Sequence, residues 1–181
     1  MNLKQHKNLR LGGYDCAAVG CYFVTVVTEG RRELFGHIAD GQLMLNCAGK
    51  MVEECIADME TRFKGLEVLN SVVMPNHVHA ILLNEKEHSI PEVMRQSEVM
   101  RQFKAVTSRL YHKKMETDRW KEVDIRLWQR SYYDIIIKNQ RMFDFINEYI
   151  ATNPERWTHD KMNEEHTTDV DEIYKAINIL R

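Results

Sequence analysis

Met74-Pro75-Asn76-His77-Val78-His79-Ala80-Ile81-Leu82-Leu83 (MPNHVHAILL) joins a turn signal to a buried-strand signal. Val78–Leu83 (VHAILL) is a strand candidate. Pro75 lacks an amide donor and, with Asn76, reads as a turn or bulge. The run before it, Leu66–Met74 (LEVLNSVVM), is a second strand candidate. Residues two apart on a strand project from one face, so His77 and His79 can each offer a ring nitrogen to a single ion. By itself an HxH pair is more often two satisfied, half-buried histidines.

Outward from this pair, strand and helix signals alternate. Gly20–Glu29 (GCYFVTVVTE) is β-branched and aromatic and runs into a Glu-Gly turn. Leu34–Gly36 and Leu43–Asn46, with Asp40-Gly41 between them, predict a short hairpin. From Ala48 to Phe63 the apolar residues Met51, Val52, Cys55, Ile56, Met59 and Phe63 recur at helical spacing, with Gly65 as a stop. Pro91 opens a second helical stretch to about Lys114, with Val99, Phe103, Val106 and Leu110 as its apolar stripe. Thr117–Asp124 reads as a charged loop, Tyr132–Ile137 as a strand, and Asn139–Thr152 as a helix closed by Asn153-Pro154. Val170–Leu180 is a further helix candidate on an acidic tail. Interspersed strands and helices with hairpin signals predict an α+β, ferredoxin-like fold, a mainly antiparallel sheet with helices packed on it. The expected division is a main domain over residues 1–157 and a polar extension over 158–181.

The chain has 181 residues, 44% hydrophobic and 29% charged, enough for one real core but not for two full domains. No stretch approaches the roughly 18 apolar residues of a membrane helix, and Met1–Arg10 has no apolar signal region, so the expected setting is cytoplasmic, without membrane partners. Cys16, Cys21, Cys47 and Cys55 form no CxxC pair and are expected to be reduced. A net charge of −2 argues against a uniformly polyanion-binding surface. Between Val93 and Lys138, however, 11 basic residues face 6 acidic ones, a local surplus of five. Counterion release depends on such a patch rather than on the average.

Tyr149 and Asn153 lie four residues apart, neighbours on one helix face if the helix extends that far. A phenol can act as a covalent nucleophile, but its ordinary pKa of about 10 keeps it protonated without help from a metal or base. The amide oxygen of Asn153 could complete a metal's coordination one turn away. Equally, a helical Tyr is usually packed, and an Asn before Pro usually ends a helix.

Taken together, several motifs resemble the REP-associated tyrosine transposases, a branch of the single-tyrosine HUH superfamily. They are RLGGYD (Arg10–Asp15), YFVTVVT (Tyr22–Thr28), LFG (Leu34–Gly36), MPNHVHAILL, LWQRSYYDIIIKN (Leu127–Asn139) and EYIATNPERW (Glu148–Trp157). The resemblance implies that His77, His79 and Asn153 are ligands of Mg²⁺ or Mn²⁺ and that Tyr149 is the nucleophile. The implied reaction nicks and rejoins single-stranded or hairpin DNA through a 5′-phosphotyrosine. Arg101, Lys104, Arg109, Lys113, Lys114 and Arg130 are the expected backbone contacts, and Trp128, Tyr132 or Tyr133 the stacking candidates. Relatives in this superfamily act as monomers or homodimers, and both states stay open here. Ile135 departs from the pattern, since many relatives carry histidine there. That change motivates the alternative of a cleavage-deficient, domesticated hairpin-DNA-binding protein. A hydrolase using Zn²⁺ on the two histidines is a further alternative, one that leaves the basic segment unexplained.

Overall fold

The computed structural model describes residues 20–84, 96–118, 120 and 126–157. The RLGGYD motif, the start of the second helix at Pro91, most of the 117–124 loop and the extension over 158–181 lie outside those residues. Four strands form the main sheet: β1 (Cys21–Val27), β4 (Leu66–Val73), β5 (His77–Asn84) and β6 (Tyr133–Ile137). A separate hairpin consists of β2 (Gly36–Ala39) and β3 (Gln42–Leu45). The helices are α1 (Cys47–Ala57), the short α2 (Met59–Arg62), α3 (Gln96–Asp118) and α4 (Gln140–Thr152).

The sheet order is β4-β5-β1-β6, and every neighbouring pair is antiparallel. β1 connects through the hairpin and α1 to β4, two positions away, and β5 connects through α3 to β6, again skipping one strand. These two interleaved split β-α-β units make the ferredoxin-like arrangement. The central strands β1 and β5 are buried along almost their whole length, which explains why apolar residues occupy both of their faces.

Strand alternation sorts the interior into two cores. On one side Val24, Val26, Val78, Ala80 and Leu82 pack with Val52 and Ile56 of α1, Phe103 of α3, and Trp128. On the other, Phe23, Ile81, Leu83, Ile135 and Ile137 pack with Met142, Phe143, Ile146 and Ile150 of α4. Each fully buried aliphatic or aromatic side chain contributes about 1.5–3 kcal/mol, so a helix with four such residues is firmly seated.

The hairpin turns at Asp40 and Gly41 as expected, both with left-handed backbone (φ 52° and 72°). Its first arm begins later than the sequence suggests. Leu34 and Phe35 are drawn into the core instead, and both their amides donate to the Pro75 carbonyl. Asn46 caps α1: its Oδ1 accepts from the amides of Ala48 and Gly49, and its Nδ2 donates to the Leu34 carbonyl. The helix expected to run to Phe63 is interrupted at Asp58, whose amide donates to both the Glu54 and Ile56 carbonyls and tightens the last turn. In α3 the buried residues are Val99, Met100, Phe103, Thr107 and Tyr111. Val106 and Leu110 sit at the margin of that stripe. The helix also continues through Thr117 and Asp118, where a loop was expected.

Candidate active site

Residues opposite one another on adjacent strands share a face. Thr25 faces His79 and Val27 faces His77, so both imidazoles emerge on the side of the sheet that carries α4. The tight link at Pro75-Asn76, closed by the Met74 amide on the His77 carbonyl (2.8 Å), starts β5 at the first histidine. The same turn is clamped from outside, where the Thr28 amide donates to the Asn76 carbonyl (2.9 Å).

His77 and His79 are buried, their ring centroids 4.5 Å apart at 70°. Asn76 determines the state of His77. Its Nδ2 donates to the Arg31 carbonyl (2.9 Å), which turns its Oδ1 toward His77 Nδ1 at 2.9 Å. An amide oxygen only accepts, so Nδ1 donates in this contact, and in the neutral ring the lone pair is then on Nε2. His79 has a parallel arrangement: Nδ1 lies 2.8 Å from the Thr25 hydroxyl, itself fully buried, and Nε2 lies 3.4 Å from the Tyr149 phenolic oxygen. Aromatic walls hold the rings in place. Phe23 stacks on His79 at 5.2 Å, Trp157 on His77 at 6.0 Å, and Tyr149 meets His79 edge-on at 5.2 Å.

Helix α4 delivers Tyr149. Asn139 caps it by accepting from the Met142 amide, and its apolar face seats it on Phe23, Ile81 and Ile135. At the irregular register between Val68 and Asn70, Asn70 Nδ2 reaches Asn147 Oδ1 at 2.7 Å, tying the sheet to α4 two residues before the tyrosine. Tyr149 is half-buried at the rim of the apolar cluster. Asn153 caps α4 with helical backbone, so it continues the Tyr149 face, and it is fully buried. Its Oδ1 and His77 Nε2 are both sealed from solvent. No group of three His, Cys, Asp or Glu suited to a metal occurs among the described residues. The two neighbouring imidazoles, with ring centroids 4.5 Å apart, are nitrogen donors that could hold a cation, and the buried Asn153 amide is an oxygen donor on the helix that carries Tyr149.

The expected DNA contacts separate into groups. Arg101, Lys104 and Arg130 line one cavity, with Arg126, Trp128 and Tyr132. Lys104 spends its ammonium protons on the carbonyls of Gln129 (2.6 Å), Arg130 (2.8 Å) and Ser131 (3.4 Å). Burial pushes its pKa down, and the nearby Arg126 adds repulsion. Arg101 is paired with Glu98 at 2.6 Å and Lys114 with Asp118 at 2.9 Å, while Arg109 and Lys113 are exposed further along α3. Among the stacking candidates, Trp128 is buried and donates to the Thr107 hydroxyl, Tyr132 is half-buried, and Tyr133 is 49% exposed. Ile135 is buried opposite Phe23. Sequence reasoning missed Thr25 and Asn76. A lone threonine inside an apolar strand was the available signal for the first.

Cys21 and Cys55 are buried and Cys47 exposed, none in a disulfide. Among the described residues no helix is long and apolar enough to cross a membrane.

The chain is similar to several known proteins. A Haemophilus influenzae protein described only as uncharacterized is 28% identical over 176 residues, spanning 88% of this chain and 94% of that one. Two solved structures are also similar, each 18% identical with a TM-score of 0.49. One, from Deinococcus radiodurans and provisionally described as a transposase, covers 83% of this chain and 96% of its own. The other, a REP-associated tyrosine transposase bound to a REP hairpin, covers 88% and 77%. Residues 21–153 match the profile of the family described as "Transposase IS200 like", and the chain belongs to that family.

Proposed function

We propose that the chain is a metal-dependent DNA-nicking and strand-transfer enzyme that acts on single-stranded or hairpin DNA of the REP-like palindrome class, with Tyr149 as nucleophile. The observation that carries this reading is the Tyr149 oxygen lying 3.4 Å from His79 Nε2 within one chain, at a half-buried position. The phenolic oxygen attacks a backbone phosphorus and loses its proton. The bond from phosphorus to the 3′ oxygen breaks, that oxygen takes up a proton, and a 5′-phosphotyrosine and a 3′-OH result. Reversal by another 3′-OH rejoins strands without an external energy source, because the phosphodiester is conserved in the intermediate.

His77, His79 and Asn153 would hold Mg²⁺ or Mn²⁺, which supplies Lewis-acid stabilisation of charge on the phosphate oxygens. The chain's own part is orientation. Asn76 and Thr25 anchor the two Nδ1 atoms, which leaves the two Nε2 atoms as the candidate ligands. His79 Nε2 cannot both accept from the phenol and hold a cation, so a cation held there would displace the Tyr149 hydroxyl from that nitrogen. Incubation of the protein with a labelled hairpin oligonucleotide carrying a single-stranded flank, with Mn²⁺, tests the reading. A denaturation-resistant adduct is expected, abolished in Tyr149→Phe; the same adduct yield in that variant would exclude Tyr149 as nucleophile.

A second reading, a hairpin-DNA-binding protein that has lost cleavage, is favoured by one observation. Ile135 places an aliphatic side chain opposite Phe23, in the cluster against which Tyr149 packs. It predicts tight hairpin binding with no adduct in wild type.

A further inference from the structure

The basic cavity lies on the other side of the sheet from the histidines. Trp128, which lines it, belongs to the core of the α1–α3 side, and Tyr132 packs against that same core. Its volume is about 520 Å³, and α3 lines it with Arg101, Lys104, Ala105 and Ser108, residues spaced to form one helix face. The segment leading into β6 closes it with Arg126, Trp128, Gln129, Arg130 and Tyr132. Four of these residues are cationic, and none of the described lining residues is acidic. Lys104 is turned inward onto three backbone carbonyls and so shapes the wall; Arg101 and Arg126 form exposed ion pairs with Glu98 (2.6 Å) and Glu29 (3.6 Å), pairs a phosphate can compete for, and Arg130 is exposed beside them. Burial lowers the pKa of the Lys104 ammonium most, repulsion from Arg126 adds to it, and Glu29 opposes it. A bound anion would relieve that repulsion. The half-buried Tyr132 offers an aromatic surface beside the cations, the pairing that suits a phosphate joined to a base.

We infer that this cavity between α3 and residues 126–132 is a nucleoside-phosphate site, separate from the histidine–tyrosine cluster, which holds one nucleotide of the DNA strand. The inference rests on the DNA reading above. Tyr132 and Tyr133 are consecutive, and Tyr133 faces Thr25 on the histidine side of the sheet. The open edge of β6 is thus the short route for a strand engaged on both sides.

The experiment measures Kd of the fluorescently labelled hairpin oligonucleotide against salt for wild type, Arg130→Ala, Arg101→Ala/Arg130→Ala and, as a control, Lys50→Ala on α1. Both arginines are exposed, so unchanged circular dichroism and unfolding midpoint are expected. The double variant should bind about tenfold more weakly, with a log–log salt slope shallower by about 0.7 for each phosphate no longer neutralised; Lys50→Ala should match wild type. A parallel titration with dTMP separates the two sources of the ligand. Competition by dTMP at micromolar concentration, lost in the double variant, would support the cavity but assign it to a free nucleotide; no competition would leave the DNA strand as occupant. Equal Kd and slope in wild type and double variant, with no dTMP binding, would overturn the inference. The Tyr149 adduct assay would then still judge the enzymatic reading on its own. Failure of wild type to bind either DNA or dTMP would overturn both.

Discussion

At the residue scale, the hydroxyl of Thr25 and the amide of Asn76 matter as much as the histidines they hold. A ligand imidazole needs one nitrogen anchored so that the other keeps its lone pair and direction, and loss of such a partner typically weakens metal affinity about 10–100-fold. Asn76→Ala should therefore weaken Mn²⁺ binding in calorimetric titration to that extent while both histidines remain. It also removes the bond to the Arg31 carbonyl, so Thr25→Val, which keeps the shape of a buried strand residue, gives the cleaner comparison. Tyr149→Phe should retain or tighten Mn²⁺ binding, since it removes the hydroxyl that competes for His79 Nε2. A large loss of affinity in that variant would mean that the phenol itself is a ligand. Elsewhere, the Arg101 guanidinium and then the Gln102 amide lower the Glu98 carboxyl from 4.5 to about 2. A lowered folded pKa means that the ion pair is fully present above about 4.5 and lost as pH falls through about 2. An NMR titration of Glu98 should show that midpoint, returning toward 4.5 in Arg101→Ala.

At the scale of elements, two close approaches set the geometry. A Cβ on Gly49 would come within 2.2 Å of the Phe35 carbonyl oxygen, so α1 can cross the hairpin only with glycine there. Alanine ordinarily stabilises a helix interior by up to about 1 kcal/mol over glycine. Here Gly49→Ala should instead destabilise by about 1–3 kcal/mol, read from denaturant unfolding; a stabilised variant would refute the steric account. Lys104 fastens residues 129–131 to α3 through three carbonyls. Lys104→Met keeps the stem and removes the ammonium, and should cost about 1–3 kcal/mol.

At the scale of the whole molecule, the sheet divides the protein into a side bearing α1, α3 and the basic cavity and a side bearing α4, the histidines and Tyr149. A cation that binds only the folded site must raise overall stability, by about 2.7 kcal/mol at one hundred times its Kd. Mn²⁺ should accordingly raise the unfolding midpoint of wild type and leave that of His77→Ala unmoved; equal shifts would place the ion elsewhere. Much of this architecture was legible in the chain alone. The apolar runs of β1, β4 and β5, the Asp40-Gly41 turn and the Asn139–Thr152 helix depend on local spacing and turn chemistry, which act between near neighbours and so leave a trace in the order of residues. The same locality made His77 and His79 share a face, and set Tyr149 one turn before Asn153. What only the tertiary structure decided is the meeting of distant segments: Thr25 beside His79, Asn76 braced against Arg31, Trp157 over His77, and Lys104 turned into its own loop. Those contacts follow from sheet register and from which side of the sheet each helix covers. Both are outcomes of global packing, in which a basic residue facing an orphaned carbonyl and one facing a phosphate look the same until the fold closes around them.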